Sequence, residues 1–144
     1  MTDTPHAATL MFIAHRAAET RVYEALRATG FGDLTPAQVR ISQRLSHNGI
    51  RVTDLAEQAR VTKQTAGALI DELEQYGYVS RKPDPHDARA RLVVLTAKGR
   101  RLCAAAAAEV AAVEALWRAH LGTETYAGLV AALVSLREVT DPFR

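Results

Sequence analysis

The sequence predicts a mainly α-helical fold in which one β-hairpin separates the fourth and fifth of six helices. Apolar residues recur at helical spacing along most of the chain, and proline and glycine divide that pattern into segments. Runs of strand-forming residues at 78–82 and 92–95 flank a turn that contains two prolines, which is typical of a hairpin. At 144 residues, the chain is long enough for one domain with its own core.

The outer helices are predicted at both ends of the chain. Thr4 is read as the cap of a first helix that runs to about Ala28. A long fifth helix is predicted from Ala97 to about His120, and Thr123 is read as the cap of the sixth. An apolar stripe on the sixth helix needs a partner surface: Leu129, Val130, Leu133, Leu136 and Val139.

The inner helices begin with a capping box. Thr35 and Gln38 stand at the spacing of that motif, and we expect the second helix to end near Gly49. Residues 50–52 are long enough only for a single bridge to a strand. A short third helix is predicted for residues 53–59, beginning at its threonine or aspartate.

The fourth helix is predicted from Lys63 to about Tyr76, with Thr62 as its cap. Its buried stripe falls at helical spacing: Ala66, Leu69, Ile70 and Leu73. The opposite face holds Gln64, Ala68, Asp71 and Gln75. The first turn is neutral or basic, whereas the last turns are acidic.

The basic residues are concentrated in one part of the sequence. Residues 60–101 carry nine basic and five acidic side chains, although the net charge of the whole chain is only +2. A locally basic segment on a nearly neutral chain indicates contact with a polyanion on one face. Phosphates repel carboxylates, and the helix dipole favours anions at the N-terminus, so the first turn of the fourth helix should lie closest to it.

A short helix, a tight turn, a second helix and a hairpin form the outline of a winged helix-turn-helix, an α+β fold that lays one helix in a DNA groove. The predicted major-groove contacts are Thr62, Lys63, Gln64, Thr65 and Ala68. Gln64 suits an adenine edge, and Thr65 or Ala68 suits a thymine methyl. Arg60 and Arg81 are predicted to contact the DNA backbone. The alternative is an ordinary amphipathic helix in a small helical protein.

The hairpin is predicted to be a wing that contacts the minor groove. Its tip places Arg89 and Arg91 on a loop made rigid by prolines, and arginine suits a narrow, electronegative groove. We expect Asp87 to pair with Arg89 or Arg91, and His86 lies beside it in the same tip. The alternative is a solvated charged turn that contributes little energy.

This stretch resembles the multiple-antibiotic-resistance regulator (MarR) family. The residues that carry the resemblance lie at 54–57, 61–65 and 77–79, in a wing pattern close to D-x-R-D-x-R at 84–89, and in L-T-x-x-G at 95–99. His86 stands where the family usually has arginine. That substitution removes a permanent cation, and it either weakens binding slightly, makes binding depend on pH, or is a neutral exposed replacement.

The resemblance implies an interlocked homodimer that binds a near-palindromic operator in double-stranded DNA. Residues 1–34 and 97–144 would form the helical dimerisation region, and 35–96 the DNA-binding lobe. It also implies a small aromatic or phenolic effector, for which four residues are candidate pocket lining: His15, Arg16, Arg44 and Trp117. The alternative for these four is ordinary surface ion pairs and core contacts.

The sequence gives little support for a disulfide, a redox sensor, a metal site or an enzyme active site. One cysteine, Cys103, excludes an intrachain disulfide, and we expect a buried structural thiol rather than a redox sensor. The histidines lack metal-site spacing, and no nucleophile elbow or phosphate loop is present, so we expect no metal, no cofactor and no enzyme. No signal peptide or membrane span is predicted, and the cytoplasm is the expected location.

The leading functional hypothesis is therefore a dimeric transcriptional regulator, read as a ligand-responsive repressor. The alternative is a helical dimer that binds a small molecule or a protein and has lost DNA binding.

Overall fold

The computed structural model describes residues 3–143. These residues form six α-helices and two β-strands: α1 Ala7–Ala28, α2 Pro36–Ser42, α3 Val52–Ala59, α4 Lys63–Gln75, β1 Val79–Asp84, β2 Asp87–Leu95, α5 Ala97–Leu121 and α6 Thr123–Thr140. The strands pair as an antiparallel hairpin between α4 and α5. This order confirms the predicted fold class.

The capping box of α2 is confirmed, but the helix is shorter than predicted. It ends at Ser42 rather than near Gly49. The N–H groups of Arg44 and Leu45 donate to the carbonyls of Ile41 and Ser42, which lie three residues earlier. These tight turns end the α-helical bonding before the chain reaches the glycine.

Three helix starts also differ from the sequence prediction. α1 begins at Ala7, three residues after Thr4. α3 begins at Val52, and its cap residue Arg51 makes no side-chain cap bond. α6 is capped by Gly122, whose φ of 84° suits glycine, and Thr123 is the first residue of the helix rather than its cap.

The chain divides into two compact units. One contains the described residues up to Arg21 and from Ala108 onward, and the other is Val22–Ala107. The second unit contains the predicted DNA-binding lobe together with the end of α1 and the first part of α5. Its bounds are therefore wider than the predicted lobe 35–96.

The hydrophobic core of the second unit centres on α4. Ala66, Ile70 and Leu73 are fully buried and Leu69 is half-buried, which confirms the predicted stripe. The predicted single bridge is also present, since Ile50 pairs with Val93 of β2. The hairpin is thus attached to the chain segment that leads into α3.

In the first unit, Val113 and Tyr126 are buried, and the guanidinium of Arg118 lies 4.7 Å from the centre of the Tyr126 ring. The predicted stripe of α6 is exposed along its whole length, with exposed fractions from 39% at Leu129 to 82% at Val139. The N-terminal half of α1 is also apolar and exposed, at Leu10, Met11, Phe12 and Ile13. No described helix is both long and apolar enough to cross a membrane.

Candidate nucleic-acid interface

The turn between α3 and α4 is built around Arg60. Its backbone is left-handed, with φ of 57° and ψ of 41°, an uncommon conformation for a residue with a side chain. Its N–H donates to Glu57, and the next N–H, of Val61, donates to Ala56 at 3.1 Å. These bonds close α3 and redirect the chain into α4, while the Arg60 side chain stays exposed.

The first turn of α4 is held by two threonines. Thr62 accepts a hydrogen bond from the N–H of Thr65 at 3.0 Å, which confirms it as the helix cap. Its hydroxyl also donates to the hydroxyl oxygen of Thr65 at 2.9 Å. The predicted major-groove residues are all exposed here: Thr62, Lys63, Gln64, Thr65 and Ala68. This turn contains no acidic residue, and it lies at the positive end of the helix dipole.

The acidic turns of α4 are occupied by partners within the second unit. Arg81 of β1 donates to Asp71 at 2.7 Å and to Glu74 at 2.8 Å, and its side chain is only 21% exposed. Gln38 of α2 donates to Glu72. The guanidinium predicted to contact the DNA backbone therefore binds two carboxylates of α4, because the first strand of the hairpin runs alongside that end of the helix.

The wing differs from the predicted loop. The strands extend to Asp84 and Asp87, so only Pro85 and His86 lie between them. Arg89 and Arg91 are therefore in β2 and not in a loop. Arg91 pairs with Pro83, and the register then shifts, because Asp84 pairs with Asp87 rather than with residue 90.

Because of this shift, residues 88–90, which include Arg89, have no paired residue on β1. His86, Arg89 and Arg91 are all exposed. Arg89 and Arg91 thus belong to a β-strand rather than to a loop, and their side chains remain exposed.

A buried carboxylate holds the shape of the wing turn. Asp84 is 8% exposed and accepts hydrogen bonds from the Nε and Nη2 of Arg51, at 2.9 and 2.7 Å. It also accepts the N–H of His86 at 2.8 Å. The N–H of His86 and then the Arg51 guanidinium lower the pKa of Asp84 below its ordinary value. The sequence did not predict this pair.

Asp87 pairs differently from the prediction. One carboxylate oxygen accepts the backbone N–H of Arg89 at 3.0 Å, and the other lies 3.8 Å from the Nη2 of Arg51. Within residues 3–143, its predicted ion pairs with the side chains of Arg89 and Arg91 are not formed. The Asp87 carboxylate is bound instead by the Arg89 main chain and by the Arg51 guanidinium.

The base of the wing packs against the start of α5. A Cβ on Gly99 would lie 2.0 Å from the carbonyl oxygen of Tyr78, so the helix approaches this closely only with glycine there. Thr96 caps α5 by accepting the N–H of Gly99 at 3.1 Å. These contacts explain physically why the L-T-x-x-G pattern follows the wing.

A polar cluster adjoins this contact. The hydroxyl of Tyr78 donates to Asp33 at 2.7 Å, and the Nζ of Lys98 lies 4.3 Å from the centre of the Tyr78 ring. Lys98 also donates to the carbonyl of Tyr76 at 2.8 Å, at the C-terminal end of α4. Burial, followed by the bond to Asp33, raises the pKa of Tyr78.

The candidate effector residues lie in both compact units. In the first unit, His15 lies 3.3 Å from Glu19, the Arg16 guanidinium lies 5.5 Å from the centre of the Phe12 ring, and Trp117 is half-buried. Arg44 is exposed in the second unit. These contacts fit ordinary helix-surface interactions, and the effector pocket stays a prediction.

Cys103 lies on α5, half-buried, with its Sγ 3.8 Å from the carbonyl oxygen of Ser42. Burial raises the pKa of the thiol, which disfavours the reactive thiolate. Among the described residues, no group of three or more His, Cys, Asp or Glu side chains is placed to hold a metal ion.

Comparison with known proteins gives one consistent family. Residues 32–90 match the model of the MarR family. The transcriptional activatory protein BadR of Rhodopseudomonas palustris is 35% identical over 95 residues, which cover 63% of this chain and 54% of BadR. The transcriptional regulator HosA of Escherichia coli O111:H- is 39% identical over 75 residues, which cover 51% of this chain and 56% of HosA. The chain thus spans about half the length of the curated relatives it matches.

A solved structure extends the comparison to nearly the whole chain. The Mycobacterium tuberculosis MarR family protein RV2887, in complex with salicylic acid, superposes with a TM-score of 0.69 at 28% identity. The superposition covers 94% of this chain and 99% of RV2887. The similarity therefore includes the outer helices as well as the helix-turn-helix and the wing.

Proposed function

The chain belongs to the MarR family, and from that premise we propose that it is a homodimeric, sequence-specific regulator of transcription that binds double-stranded DNA. The observation that carries the proposal is the uneven chemistry of α4. Its exposed first turn has no acidic residue, and each acid of its later turns has a partner within the second unit. A phosphate backbone therefore meets donors and one cation where α4 begins.

The wing supports the same conclusion. Arg89 and Arg91 are exposed on β2, and the two carboxylates of the wing turn, Asp84 and Asp87, are bound by Arg51 and by the main chain. Two exposed arginines beside a helix-turn-helix suit the minor groove next to the major-groove site. His86 reduces the permanent charge of the wing by one group relative to the usual family pattern.

The dimer is supported by the exposed apolar surface of the first unit. Four consecutive apolar residues of α1 and the stripe of α6 are exposed in the single chain. Exposed apolar patches of this kind mark surfaces at which proteins associate. A twofold dimer would place two recognition helices in successive major grooves, about one helical turn apart.

We further propose repression that a small aromatic or phenolic anion relieves. RV2887 was solved with salicylic acid, which supports this ligand class for a related fold. An effector that binds a dimer whose half-site spacing mismatches the operator would weaken DNA binding by shifting the population. The name of BadR shows that a relative activates transcription, so activation is the alternative outcome. The cytoplasm is the compartment in which such a protein meets DNA.

The test is fluorescence anisotropy with the DNA upstream of the chain's own gene, at two salt concentrations and with random-sequence competitor. We expect specific binding that weakens as salt rises. Arg89→Ala should weaken it strongly and leave the dimer intact in analytical ultracentrifugation. Gln64→Ala should alter base preference more than the salt slope.

If random-sequence competitor removes the upstream DNA as easily as it removes any other duplex, the binding is non-specific. That result would instead favour a dimeric module without a DNA target. Unchanged affinity of Arg89→Ala would contradict the wing contact.

A further inference from the structure

We propose that Gln38 is a positioning residue that fixes the rotation of α4 about its own axis, and thereby determines how well the protein discriminates between DNA sequences. The inference rests on the proposed function, because discrimination has meaning only if α4 reads DNA. Gln38 lies on α2, outside the helix-turn-helix. Its hydrogen bonds within the described part of the chain go to Thr35 and Glu72, and not to the exposed first turn of α4.

The orientation of the Gln38 amide follows from the chemistry of its two neighbours. The backbone N–H of Thr35 can only donate, and it lies 2.8 Å from Oε1 of Gln38. The amide nitrogen must then point the other way, where it donates to the carboxylate of Glu72. Gln38 is 3% exposed, so water cannot replace either partner. The Gln38 side chain therefore links the start of α2 to α4 through two hydrogen bonds whose directions are fixed.

Glu72 lies on the same side of α4 as two of the predicted base contacts, Thr65 and Ala68. It follows Thr65 by seven residues and Ala68 by four, and this spacing places all three on neighbouring directions of the helix. At 3.6 residues per turn, Glu72 and Thr65 differ by only about 20° around the axis. A contact that fixes the direction of Glu72 also fixes the directions of Thr65 and Ala68.

A second contact holds the opposite flank. Asp71 and Glu74, which lie on the other side of the exposed face, both accept hydrogen bonds from Arg81. Asp71 follows Gln64 by seven residues, so this contact fixes the direction of Gln64 in the same way. Rotation of α4 in either sense would lengthen the bonds on one flank. The predicted reading face lies between the two contacts.

The test exchanges the two groups. In Gln38→Glu, the new carboxylate still accepts the Thr35 N–H but repels Glu72, so the contact to α4 is lost. In the double variant Gln38→Glu with Glu72→Gln, the amide of residue 72 donates to the carboxylate of residue 38, and the contact is restored. The exchange leaves the net charge unchanged.

The readout is the ratio of two dissociation constants, one for a duplex that the wild-type chain enriches from a randomised library and one for poly(dI-dC). Non-specific binding depends on charge rather than on the rotation of α4, so a merely structural defect would not change the ratio. We expect Gln38→Glu to lower the ratio about tenfold and the double variant to restore it to within about twofold.

The matched control is Gln43→Glu with Glu24→Gln, which makes the same two changes at exposed positions and should leave the ratio unchanged. If Gln38→Glu does not fold, Glu72→Ala removes the acceptor from an exposed position and should lower the ratio in its place. A wild-type ratio in Gln38→Glu or Glu72→Ala, or a double variant as poor as the single one, would overturn the inference. If the wild-type chain enriches no duplex, the proposed function fails first, and the inference fails with it.

Discussion

Asp84 at the wing turn and Arg51 at the start of α3 are joined by two hydrogen bonds to one carboxylate oxygen, at 2.9 and 2.7 Å, across 33 residues of sequence. The contact links the two parts of the candidate interface, because Arg51 directly precedes the first helix of the helix-turn-helix and Asp84 ends β1. The turn next to the wing arginines is therefore anchored to the chain segment that leads into α3.

Replacing Arg51 with alanine should weaken operator binding about tenfold, because the wing turn loses a charge-assisted pair of hydrogen bonds. The measurement is fluorescence anisotropy with the specific duplex. Arg101→Ala is the control, since it also removes one positive charge, at an exposed position of the basic segment 60–101. Equal losses in the two variants would show that Arg51 acts only through net charge.

The Asp84 carboxylate should make stability depend on acid pH. Its pKa is lowered in the folded protein, so the folded state binds the proton more weakly than the unfolded state does. The stabilisation is complete above about pH 5 and is lost as the pH falls through the lowered pKa. Thermal unfolding of the wild type and of Asp84→Asn should therefore show a gap in Tm at pH 7 that narrows in acid. A gap that stays constant down to about pH 2 would contradict this account.

Local sequence patterns are sufficient to predict the caps of α2 and α4 and the buried face of α4. The Thr62 cap, the start of α4 and the capping box of α2 are as predicted, because their signals lie within a few residues of the bonds they describe. The buried stripe of α4 follows from periodicity for the same reason. Two other predicted boundaries are less accurate. α2 ends at Ser42 rather than near Gly49, and the cap of α6 is Gly122 rather than Thr123.

Contacts between distant residues were not predictable in this way. Arg81 carries the charge expected of a phosphate contact, but the hairpin brings it back to two acids of α4. The bonds of Asp84 to Arg51 and of Gln38 to Glu72 join residues that no spacing rule connects. Two prolines predict a loop around the wing arginines, whereas the strands extend almost to the tip of the hairpin.

Arg60 should show opposite effects on stability and on DNA binding. Arg60→Gly should leave the free energy of unfolding unchanged or raise it by up to about 1 kcal/mol, because glycine adopts the left-handed backbone without side-chain strain. Operator affinity should fall, and the salt slope should decrease by about one, as for the loss of one phosphate contact. Urea unfolding and salt titrations measure the two effects.

Arg60→Asn is the matched variant, since asparagine also tolerates this backbone but carries no charge. It should reproduce the loss in affinity. Wild-type affinity in both variants would exclude a phosphate contact at this turn.

Two glycines should respond oppositely to a methyl group. Gly99→Ala places a Cβ 2.0 Å from the Tyr78 carbonyl oxygen, and we expect a loss of about 2 kcal/mol or more in the free energy of unfolding. Gly67→Ala, inside α4, meets nothing within 4 Å and should raise that free energy by about 1 kcal/mol. Urea denaturation of both variants checks the pair. A well-tolerated Gly99→Ala would contradict the close approach of α5 to the wing base.

The central claim is that two copies of this lobe read DNA sequence together, and selection of duplexes from a randomised library by the purified wild-type chain tests it most directly. We predict enrichment of a near-palindrome whose half-sites are centred about 10 base pairs apart. Gln64→Ala should relax the preference at one symmetric pair of positions and leave the spacing unchanged. An unenriched library, or a single half-site without its inverted repeat, would contradict the account.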